Sequence, residues 1–519
     1  MGVSPNSPFL FLLPKGHESE ANKMVNTKDR QTETISTGTQ KDGGKIPEMR
    51  IYLAGEWREG GGKPYTVLCP YDQQPVARVH RASPDDLEQA IQASVRALKV
   101  TRTLPGHKRA EILRNISEGI KARAEELSRT VALEAGKPIK HARIEVGRAV
   151  LTFAVAAEEA TRIEDETLHL DAIPGGDGRQ GFVRRFPVGP IAAITPFNFP
   201  LNLVAHKIAP AIAAGCPVVL KPAAQTPGAA LKLAAIIAES GWPAEALSVL
   251  PMNSADAAPL VEDERFALLT FTGSPVVGWD MKNRAGRKRV TLELGGNAGV
   301  IVHEDADLQY AAERCVTGGY SYAGQSCISV QRIFVHESVY DRFLAELVPR
   351  VKALKVGPPL DEATDVASLI SLKDGERVDS WLREAQDAGA KCLVGGGVEK
   401  AIVQPSVVVD ARPELRINKS EVFAPVVTVQ KYKTFDEALA ALNDSDYGLQ
   451  AGVFTNDVKR IFKAFDELEV GGLIANDVPT WRVDQMPYGG IKQSGFGREG
   501  LKYAIEEMTE PKLLVINLA

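Results

Sequence analysis

The sequence of 519 residues has few cysteines, no excess of positive charge and no long hydrophobic run. An odd number of scattered cysteines without a Cys-x-x-Cys pair excludes a disulfide framework and a zinc site, and it favours a reducing compartment such as the cytoplasm. The formal net charge of −5 gives no indication of nucleic-acid binding. No stretch approaches the roughly 20 apolar residues that a membrane span needs. The five cysteines are Cys69, Cys216, Cys315, Cys327 and Cys392.

Residues 1–48 have almost no apolar periodicity and are rich in Ser, Thr, Asn, Lys and Gly. Their one apolar run, residues 9–13, is too short for a signal peptide. Asn6 stands where a myristoylation signal needs Ser or Thr. We interpret this segment as a disordered arm, with a mis-assigned start codon as the alternative.

The composition is that of a globular protein, with 44% hydrophobic and 24% charged residues. The length predicts two or three domains. Short apolar strands alternate with helical segments over residues 188–302, which predicts an α/β fold with a Rossmann-like parallel sheet covered on both faces. Residues 303–500 repeat this alternation and predict a second α/β domain. The strands of the first stretch are predicted at 189–194, 217–220, 247–250, 268–271, 290–292 and 299–302.

Three further segments carry specific predictions. Ser83 before Pro84 predicts a helix start, and residues 106–170 are predicted to be helical. Gly176 to Gly181 spells Gly-x-Gly-x-x-Gly but leads into a strand, so we reject a dinucleotide site there and predict a hairpin. Residues 511–518 predict a terminal strand whose free apolar edge needs a cover, such as a second subunit.

Two short segments carry the chemistry. Cys327 lies in Gly-Gln-Ser-Cys-Ile-Ser, and Glu293 lies in Leu-Glu-Leu-Gly-Gly-Asn. A thiol must ionise before it attacks a carbonyl, and a carboxylate can take the proton directly or through a water. On spacing alone, a buried inert thiol and a surface carboxylate would be the more common interpretation.

Together with Thr195-Pro-Phe-Asn-Phe-Pro200, these segments closely resemble the aldehyde dehydrogenase superfamily, whose members oxidise aldehydes to acids with NAD(P). The resemblance extends over about residues 50–519. It implies an NAD(P)-binding domain at 49–170 and 189–295 and a catalytic domain at 296–500. It also implies oligomerisation strands at 171–188 and 501–519, hence a homo-oligomer, either a dimer or a tetramer.

The resemblance implies a role for each catalytic residue. Cys327 would attack the aldehyde, and the Asn198 side chain would stabilise the resulting oxyanion together with the Cys327 backbone N–H. Glu293 would activate the water that hydrolyses the thioester, and partial burial should raise its pKa.

The cofactor is predicted to be NADP or NAD, without a metal. Ser274 and Pro275 fit the first positions of a helix whose N-terminus favours an anion. Many family members carry Glu where this chain has Ala224, and without that carboxylate a 2′-phosphate is not repelled, so we predict that NADP is accepted. The predicted cofactor-binding residues are Ile194, Thr195, Pro196, Phe197, Lys221, Ala224, Gly273, Ser274, Leu294, Glu421 and Phe423.

For the substrate, the segments most resemble the branch that handles lactaldehyde, glyceraldehyde 3-phosphate, succinate semialdehyde and phosphonoacetaldehyde. We predict a small polar or anionic aldehyde, bound by Arg482 with help from Arg143 or Arg148. The alternative is that these arginines lie on the surface, paired with Asp484 or Glu145.

Three other functions stay open. An acylating enzyme would pass the thioester to coenzyme A, which the retained Glu293 disfavours. A thiol esterase would need only Cys327 and Glu293 and no nucleotide. A non-catalytic homologue is disfavoured because Cys327, Glu293 and Asn198 are all intact.

Overall fold

A computed structural model describes residues 46–518 of the chain. The predictions for the N-terminal arm therefore lie outside the described residues, apart from its last three positions. The helices are α1 (Pro84–Thr101), α2 (Gly106–Ala122), α3 (Ala124–Ala135), α4 (Ile139–Glu159), α5 (Asn202–Ala214), α6 (Gly228–Glu239), α7 (Ala258–Glu262), α8 (Pro275–Arg284), α9 (Leu308–Tyr320), α10 (Tyr340–Lys352), α11 (Leu372–Asp387), α12 (Arg416–Lys419), α13 (Phe435–Asn443), α14 (Val458–Glu467) and α15 (Leu501–Glu507).

The strands are short, and most contain only a few residues. They are β1 (Glu48–Met49), β2 (Ile51–Leu53), β3 (Glu56–Arg58), β4 (Gly62–Leu68), β5 (Pro75–Arg81), β6 (Glu166–Leu168), β7 (Arg179–Pro187), β8 (Ile191–Ile194), β9 (Val218–Lys221), β10 (Leu247–Val249), β11 (Leu268–Thr272), β12 (Arg289–Glu293), β13 (Ala298–Val302), β14 (Val330–His336), β15 (Lys391–Val394), β16 (Val398–Glu399), β17 (Ile402–Val403), β18 (Ser406–Val409), β19 (Val426–Tyr432), β20 (Tyr447–Gly448), β21 (Gln450–Phe454), β22 (Gly472–Ala475), β23 (Ile491–Lys492), β24 (Gly495–Phe496) and β25 (Thr509–Asn517).

The first large sheet has eight strands in the order β24-β12-β11-β8-β9-β10-β2-β3, and its five central strands are parallel. Their residues are almost all buried, because helices cover both faces of the sheet. The chain runs from β8 outwards through β9 and β10 and then returns to β11 on the other side of β8. Such a reversal of strand order opens a crevice at the carboxyl ends of the strands, where ligands bind in open α/β sheets.

The second large sheet has seven strands in the order β15-β18-β19-β14-β13-β21-β22, and all pairs except β15–β18 are parallel. The segment between β12 and β13 crosses from the first sheet to the second. The predicted strand at 299–302 is β13 and therefore belongs to this second sheet. In the other direction, β24 returns to the edge of the first sheet beside β12.

The predicted hairpin is present: β6 pairs with β7, and Gly181 of the Gly-x-Gly-x-x-Gly segment lies inside β7. The terminal strand β25 pairs with β7 along its whole length. Residues 501–507, which the resemblance assigned to strands, form helix α15, which packs against α4 and α5.

Of two local predictions about helices, one is confirmed and one differs from the structure. Ser83 caps α1 through a capping box with Asp86, as its position before Pro84 predicted. The continuous helical stretch over 106–170 is instead three helices that end at Glu159. Gly136 takes a left-handed conformation with φ of 62° after α3, and Pro138 precedes α4, so the backbone turns there.

Candidate active site

A cavity of about 510 Å³ lies where the carboxyl ends of β8, β11 and β12 face the residues that precede β14 and β19. It brings together most of the site residues predicted from the sequence. Those that line it are Arg148, Pro196, Phe197, Asn198, Gly273, Ser274, Glu293, Leu294, Cys327, Glu421, Phe423 and Arg482.

Cys327 stands on a tight turn between α9 and β14. Tyr322, Ala323 and Gly324 all have positive φ, and a Cβ at Gly324 would come within 2.2 Å of the Ala424 carbonyl oxygen. Only glycine fits at that point. The turn leaves the half-buried Cys327 side chain at the cavity wall, with its Sγ 3.1 Å from the hydroxyl of Tyr488.

The surroundings of Cys327 oppose its ionisation. Burial raises the pKa of the thiol to about 12; the hydrogen bond with Tyr488 acts in the opposite direction, and the negative charges of Glu293 and Glu421 add to the rise. A proton acceptor close by is therefore needed before the sulfur becomes a nucleophile near neutral pH.

Glu293 ends β12 and points into the same cavity. It is only 2% exposed, and neither carboxylate oxygen has a hydrogen-bond partner in the protein. Burial, followed by the negative charge of Glu499, raises the pKa of Glu293 well above its usual value. A buried carboxyl with unpaired oxygens and a raised pKa has the properties of a general base.

Glu499 lies beside Glu293 but has the opposite protonation behaviour. Burial works against its charge, but the nearby Lys207 ammonium and the His206 side chain, whose Nδ1 is 3.6 Å from Glu499 Oε2, lower its pKa to about 2. Lys207 Nζ is 3.2 Å from Glu499, and Arg482 is 3.8 Å away. The two neighbouring carboxylates are thus held in different protonation states, one ionised and one able to exchange a proton.

Asn198 lies on the loop after β8, and buried polar contacts hold this loop. Its side-chain NH₂ donates to the Gln325 carbonyl at 3.1 Å, while Lys137 Nζ donates to its backbone carbonyl at 2.7 Å. Lys137 also forms a buried ion pair with Glu145, whose Oε1 accepts the Leu201 backbone N–H at 2.9 Å. The amide therefore lies beside the segment that carries Cys327.

The predicted cofactor residues that line the cavity lie in two groups. Ser274 caps α8 at the cavity and forms no side-chain cap hydrogen bond, and Thr272 Oγ1 is buried without a partner. Glu421 accepts the Gly296 N–H at 2.9 Å, and burial raises its pKa to about 7. The rings of Phe197 and Phe423 meet edge to face with centroids 6.0 Å apart.

The remaining cofactor candidates do not line this cavity. Ile194 and Lys221 are paired at the carboxyl ends of β8 and β9, and the Thr195 N–H donates to the Lys221 carbonyl at 3.2 Å. Burial lowers the pKa of Lys221. Ala224 follows on the next loop and is partly exposed. They stand at the same carboxyl edge of the sheet, further along the crevice.

Of the three candidate substrate arginines, two line the cavity. The Arg482 guanidinium lies 3.7 Å from the centre of the Tyr488 ring, and its side chain is 6% exposed. Burial and the Arg482 charge lower the pKa of Arg148. Arg143 is exposed, forms ion pairs with Glu125 and Glu362, and is not part of the cavity wall. It lies on an outward-facing side of α4, which the sequence pattern did not reveal.

Sequence reasoning missed Tyr488, Glu499, His206 and Lys207. Tyr488 and Glu499 belong to the Gly-rich segment 487–499, which the sequence led us to interpret as structural, and an isolated β-bridge sets the two opposite each other. A tyrosine and a glutamate inside a glycine-rich turn were the available signal. Among residues 46–518 no group of three or more side chains is arranged to hold a metal ion, and no helix is long and apolar enough to cross a membrane.

Comparison with known proteins gives consistent matches. The family model described as "Aldehyde dehydrogenase family" matches residues 57–514. The 3-sulfolactaldehyde dehydrogenase of Priestia aryabhattai is 45% identical over 475 residues, which cover 91% of this chain and 99% of that protein.

Two solved structures are similar over nearly their whole length. Aldehyde dehydrogenase 21 from Physcomitrella patens, in complex with the reaction product succinate, is 45% identical with a TM-score of 0.90, covering 92% of this chain and 99% of that chain. The glyceraldehyde-3-phosphate dehydrogenase GapN from Methanocaldococcus jannaschii, complexed with NADP, is 40% identical with a TM-score of 0.84, covering 88% and 100%.

Proposed function

The chain belongs to the aldehyde dehydrogenase family, and on that premise we propose that its substrate is a short aldehyde with an anionic end, oxidised to the carboxylic acid with NADP or NAD. The observation that carries the proposal is a single cavity lined by the Cys327 sulfur, an unpaired buried Glu293 carboxylate and two guanidinium groups. The first two groups perform the reaction, and the guanidinium groups select the substrate.

The chemistry begins with loss of the Cys327 proton to Glu293, directly or through a water. The sulfur then forms a bond to the aldehyde carbon, and the carbonyl π electrons move to oxygen. Asn198 donates a hydrogen bond to that oxygen, together with the Cys327 N–H. When bound, the nicotinamide dinucleotide supplies the hydride acceptor. Once the carbon is oxidised, the acyl group is a thioester on Cys327.

After Glu293 has released the first proton to solvent, it takes a proton from water, and the oxygen of that water attacks the thioester carbon. The carbon–sulfur bond breaks and releases the acid and the thiolate. The raised pKa of Glu293 suits this step, because a carboxylate whose pKa lies above its usual value is a stronger base. A hydrolytic base in place also favours water over coenzyme A as the acyl acceptor.

The residues of the crevice fit a dinucleotide. The free N–H groups at the start of α8, after Ser274, favour a pyrophosphate. Thr272 Oγ1 is a buried polar atom without a protein partner at the same place. Glu421 would hold the nicotinamide ribose, and Phe423 would pack against the ring. Lys221 would contact the adenine ribose. With Ala224 near that end, no carboxylate opposes a 2′-phosphate, which supports use of NADP.

The substrate proposal depends on Arg148 and Arg482. Two buried cations at one cavity are stabilised by an anionic ligand, and a planar guanidinium matches a carboxylate, sulfonate or phosphate group. Some of the relatives are named for compounds of this kind: 3-sulfolactaldehyde and glyceraldehyde 3-phosphate carry anions, and succinate is a dianionic product, whereas others are named for the neutral lactaldehyde. We infer the same class for this chain.

A panel of aldehydes with both cofactors, monitored at 340 nm, tests the proposal. Sulfolactaldehyde and succinate semialdehyde should exceed propionaldehyde in kcat/KM. Arg482→Ala should reduce kcat/KM for the anionic aldehydes and leave propionaldehyde nearly unchanged. Arg143→Ala is the matched control, since this arginine is paired on the surface. Equal loss for all aldehydes with Arg482→Ala would contradict anion recognition, and wild-type turnover by Cys327→Ser would contradict the mechanism.

We further propose that the chain is a homo-oligomer that pairs through β25. Beyond β7, no other strand within residues 46–518 pairs with β25, and Leu513, Leu514, Val515 and Ile516 are between 39% and 57% exposed. Such an apolar edge is normally covered. Light scattering on the purified protein tests this, and a monomer would contradict it. The division into domains at 170, 189, 295 and 500 and a cytoplasmic location stay predictions.

A further inference from the structure

Tyr488 is held rigidly at the cavity wall. Its backbone forms both hydrogen bonds of a bridge with Glu499, at 3.0 and 2.6 Å. Its side chain is buried, packs with Ile328 and Leu449, and carries the Arg482 guanidinium over its ring. The position of the phenol oxygen is therefore determined by packing on both sides.

The phenol oxygen lies 3.1 Å from Cys327 Sγ, a short distance for a hydrogen bond to sulfur. Within residues 46–518, the Cys327 sulfur is the hydrogen-bond partner of the Tyr488 hydroxyl. In the neutral pair either atom can donate. Once the thiol has lost its proton, only the phenol has a hydrogen to give, so the O–H must point at the thiolate.

We propose that Tyr488 is a further catalytic residue, which donates a hydrogen bond to the Cys327 thiolate before it attacks the aldehyde. This inference rests on the proposed role of Cys327 as the nucleophile. No proton moves from Tyr488: the thiol proton goes to Glu293, the phenol keeps its own, and the sulfur lone pair forms the bond to carbon. When the thioester is hydrolysed, the same O–H receives the returning thiolate.

The charged groups around the sulfur explain why a donor is needed. Glu293 at the end of β12 and Glu421 before β19 both disfavour the thiolate, and burial adds to them. The Arg482 charge favours the thiolate, and its guanidinium lies over the face of the Tyr488 ring. Burial also raises the pKa of the phenol well above its usual value, so the hydroxyl remains protonated and available as a donor.

The alternative is that Tyr488 only fills space. A phenylalanine would then serve equally well, because it keeps the ring that packs with Leu449 and supports Arg482. Tyr488→Phe separates the two roles, since it removes one oxygen and nothing else. Tyr320→Phe is a matched control: Tyr320 is equally buried, and its hydroxyl donates to the Ser406 carbonyl at 2.9 Å, away from the cavity.

The test is the pH dependence of alkylation of Cys327 by iodoacetamide in the full-length enzyme, followed by mass spectrometry of the Cys327 peptide. Tyr488→Phe should raise the apparent pKa by about one unit, which is about a tenfold lower alkylation rate at a fixed pH below that value. Tyr320→Phe should leave the curve where it is. An unchanged curve for Tyr488→Phe would overturn the proposal.

A second measurement covers the case in which Tyr488→Phe does not fold. Replacement of Tyr488 by 3-fluorotyrosine keeps the shape and makes the phenol a stronger donor, so the alkylation curve should move towards lower pH. A curve that does not move, or moves upwards, would overturn the proposal. Neither measurement uses aldehyde or dinucleotide. A negative result in either measurement would therefore contradict the role of Tyr488 without contradicting the proposed function. The proposed function is tested separately by Cys327→Ser in the dehydrogenase assay.

Discussion

Two buried carboxylates, Glu145 and Glu293, have opposite surroundings. Glu145, on α4, is paired with Lys137 and also accepts backbone N–H groups from Leu201 and Asn202. Glu293, at the end of β12, has no hydrogen-bond partner for either oxygen. Both are almost fully inaccessible, so burial does not separate them.

The difference distinguishes a carboxylate that stabilises the structure from one that is available for chemistry. A buried ion that is fully hydrogen-bonded holds its neighbours in one arrangement, because any movement breaks several contacts together. A buried carboxylate without partners costs stability but remains free to take a proton. The Glu145 ion pair stabilises the Asn198 loop through Leu201 and Asn202, whereas Glu293 lines the same cavity as Asn198.

Breaking the Lys137–Glu145 ion pair should have the largest effect on stability. Lys137→Met leaves Glu145 charged and unpaired in the interior, and we expect the free energy of unfolding to fall by about 3–5 kcal/mol. Denaturant or thermal unfolding measures this. The double variant Lys137→Met with Glu145→Leu removes both charges and should recover part of the loss. A single variant as stable as the wild type would show that the ion pair does not hold the loop.

The loop itself supplies the next prediction. Asn198→Ala removes an amide donor and leaves the Lys137–Glu145 ion pair in place. The loss of transition-state stabilisation, calculated from kcat/KM, should be about 3–4 kcal/mol, while the melting temperature changes little. Asn115→Ala is the control, because its amide donates to the Ser240 carbonyl far from the cavity. Equal kinetics for the two variants would rule out an oxyanion role for Asn198.

Removing the unsatisfied charge should stabilise the fold. The pKa of Glu293 is higher in the folded than in the unfolded protein, so its contribution to stability falls as pH rises from the unfolded value through the folded one. Glu293→Gln should therefore gain about 1–2 kcal/mol at pH 8, show no gain at pH 4, and lose hydrolysis of the thioester. Unfolding curves at the two pH values measure the gain.

Glu134 is the matched control for that experiment. Burial raises its pKa to about 8, but its oxygens accept the Gly228 N–H at 2.9 and 3.2 Å. Glu134→Gln removes a partnered carboxylate outside the cavity, so it should leave turnover unchanged. Because the pKa of Glu134 is also raised, this variant should gain some stability at pH 8, but less than Glu293→Gln, since it also loses part of the hydrogen bonding to Gly228. Stabilisation of the same size by both variants would mean that hydrogen-bond satisfaction does not separate the two sites.

The smallest effect is expected at the cofactor end, where a charge is added at a partly exposed position. Ala224→Glu should lower kcat/KM with NADP relative to NAD by about five- to tenfold, roughly 1–1.4 kcal/mol. Gln225→Glu, on the next, exposed residue, should change the ratio less. A wild-type preference for NAD above about a hundredfold (~2.7 kcal/mol) would contradict acceptance of NADP.

Much of the fold was predictable because its signals are local. The alternation of short apolar strands with helices predicted the ends of β8 to β12 to within one or two residues. Ser83 and Ser274 correctly predicted the starts of two helices. The breaks inside 106–170 were not predicted, although Gly136 and Pro138 are residues that typically end one helix and begin the next. The rejected glycine motif at 176–181 was correctly identified as a hairpin.

At the site, motif residues were predicted and their partners were not. Cys327 and Glu293 stood out through their glycine-rich flanks. Tyr488 and Glu499 come from a segment far along the chain, and only the β-bridge between them and the return of β24 to the first sheet bring them to the cavity. Arg143 and Arg148 look alike in the sequence, but one pairs on the surface and the other lines the cavity.

The amino-acid sequence by itself indicated the alternation of strands and helices, the family and the two candidate reacting groups, because each depends on neighbouring residues. Only the tertiary structure decided that the pKa is lowered at Glu499 and raised at Glu293, and that Arg148 rather than Arg143 lines the cavity. It also decided that the Tyr488 hydroxyl contacts the Cys327 sulfur. Desolvation and hydrogen bonding depend on distances between segments that are far apart in the chain, and those distances exist only once the two sheets have packed together.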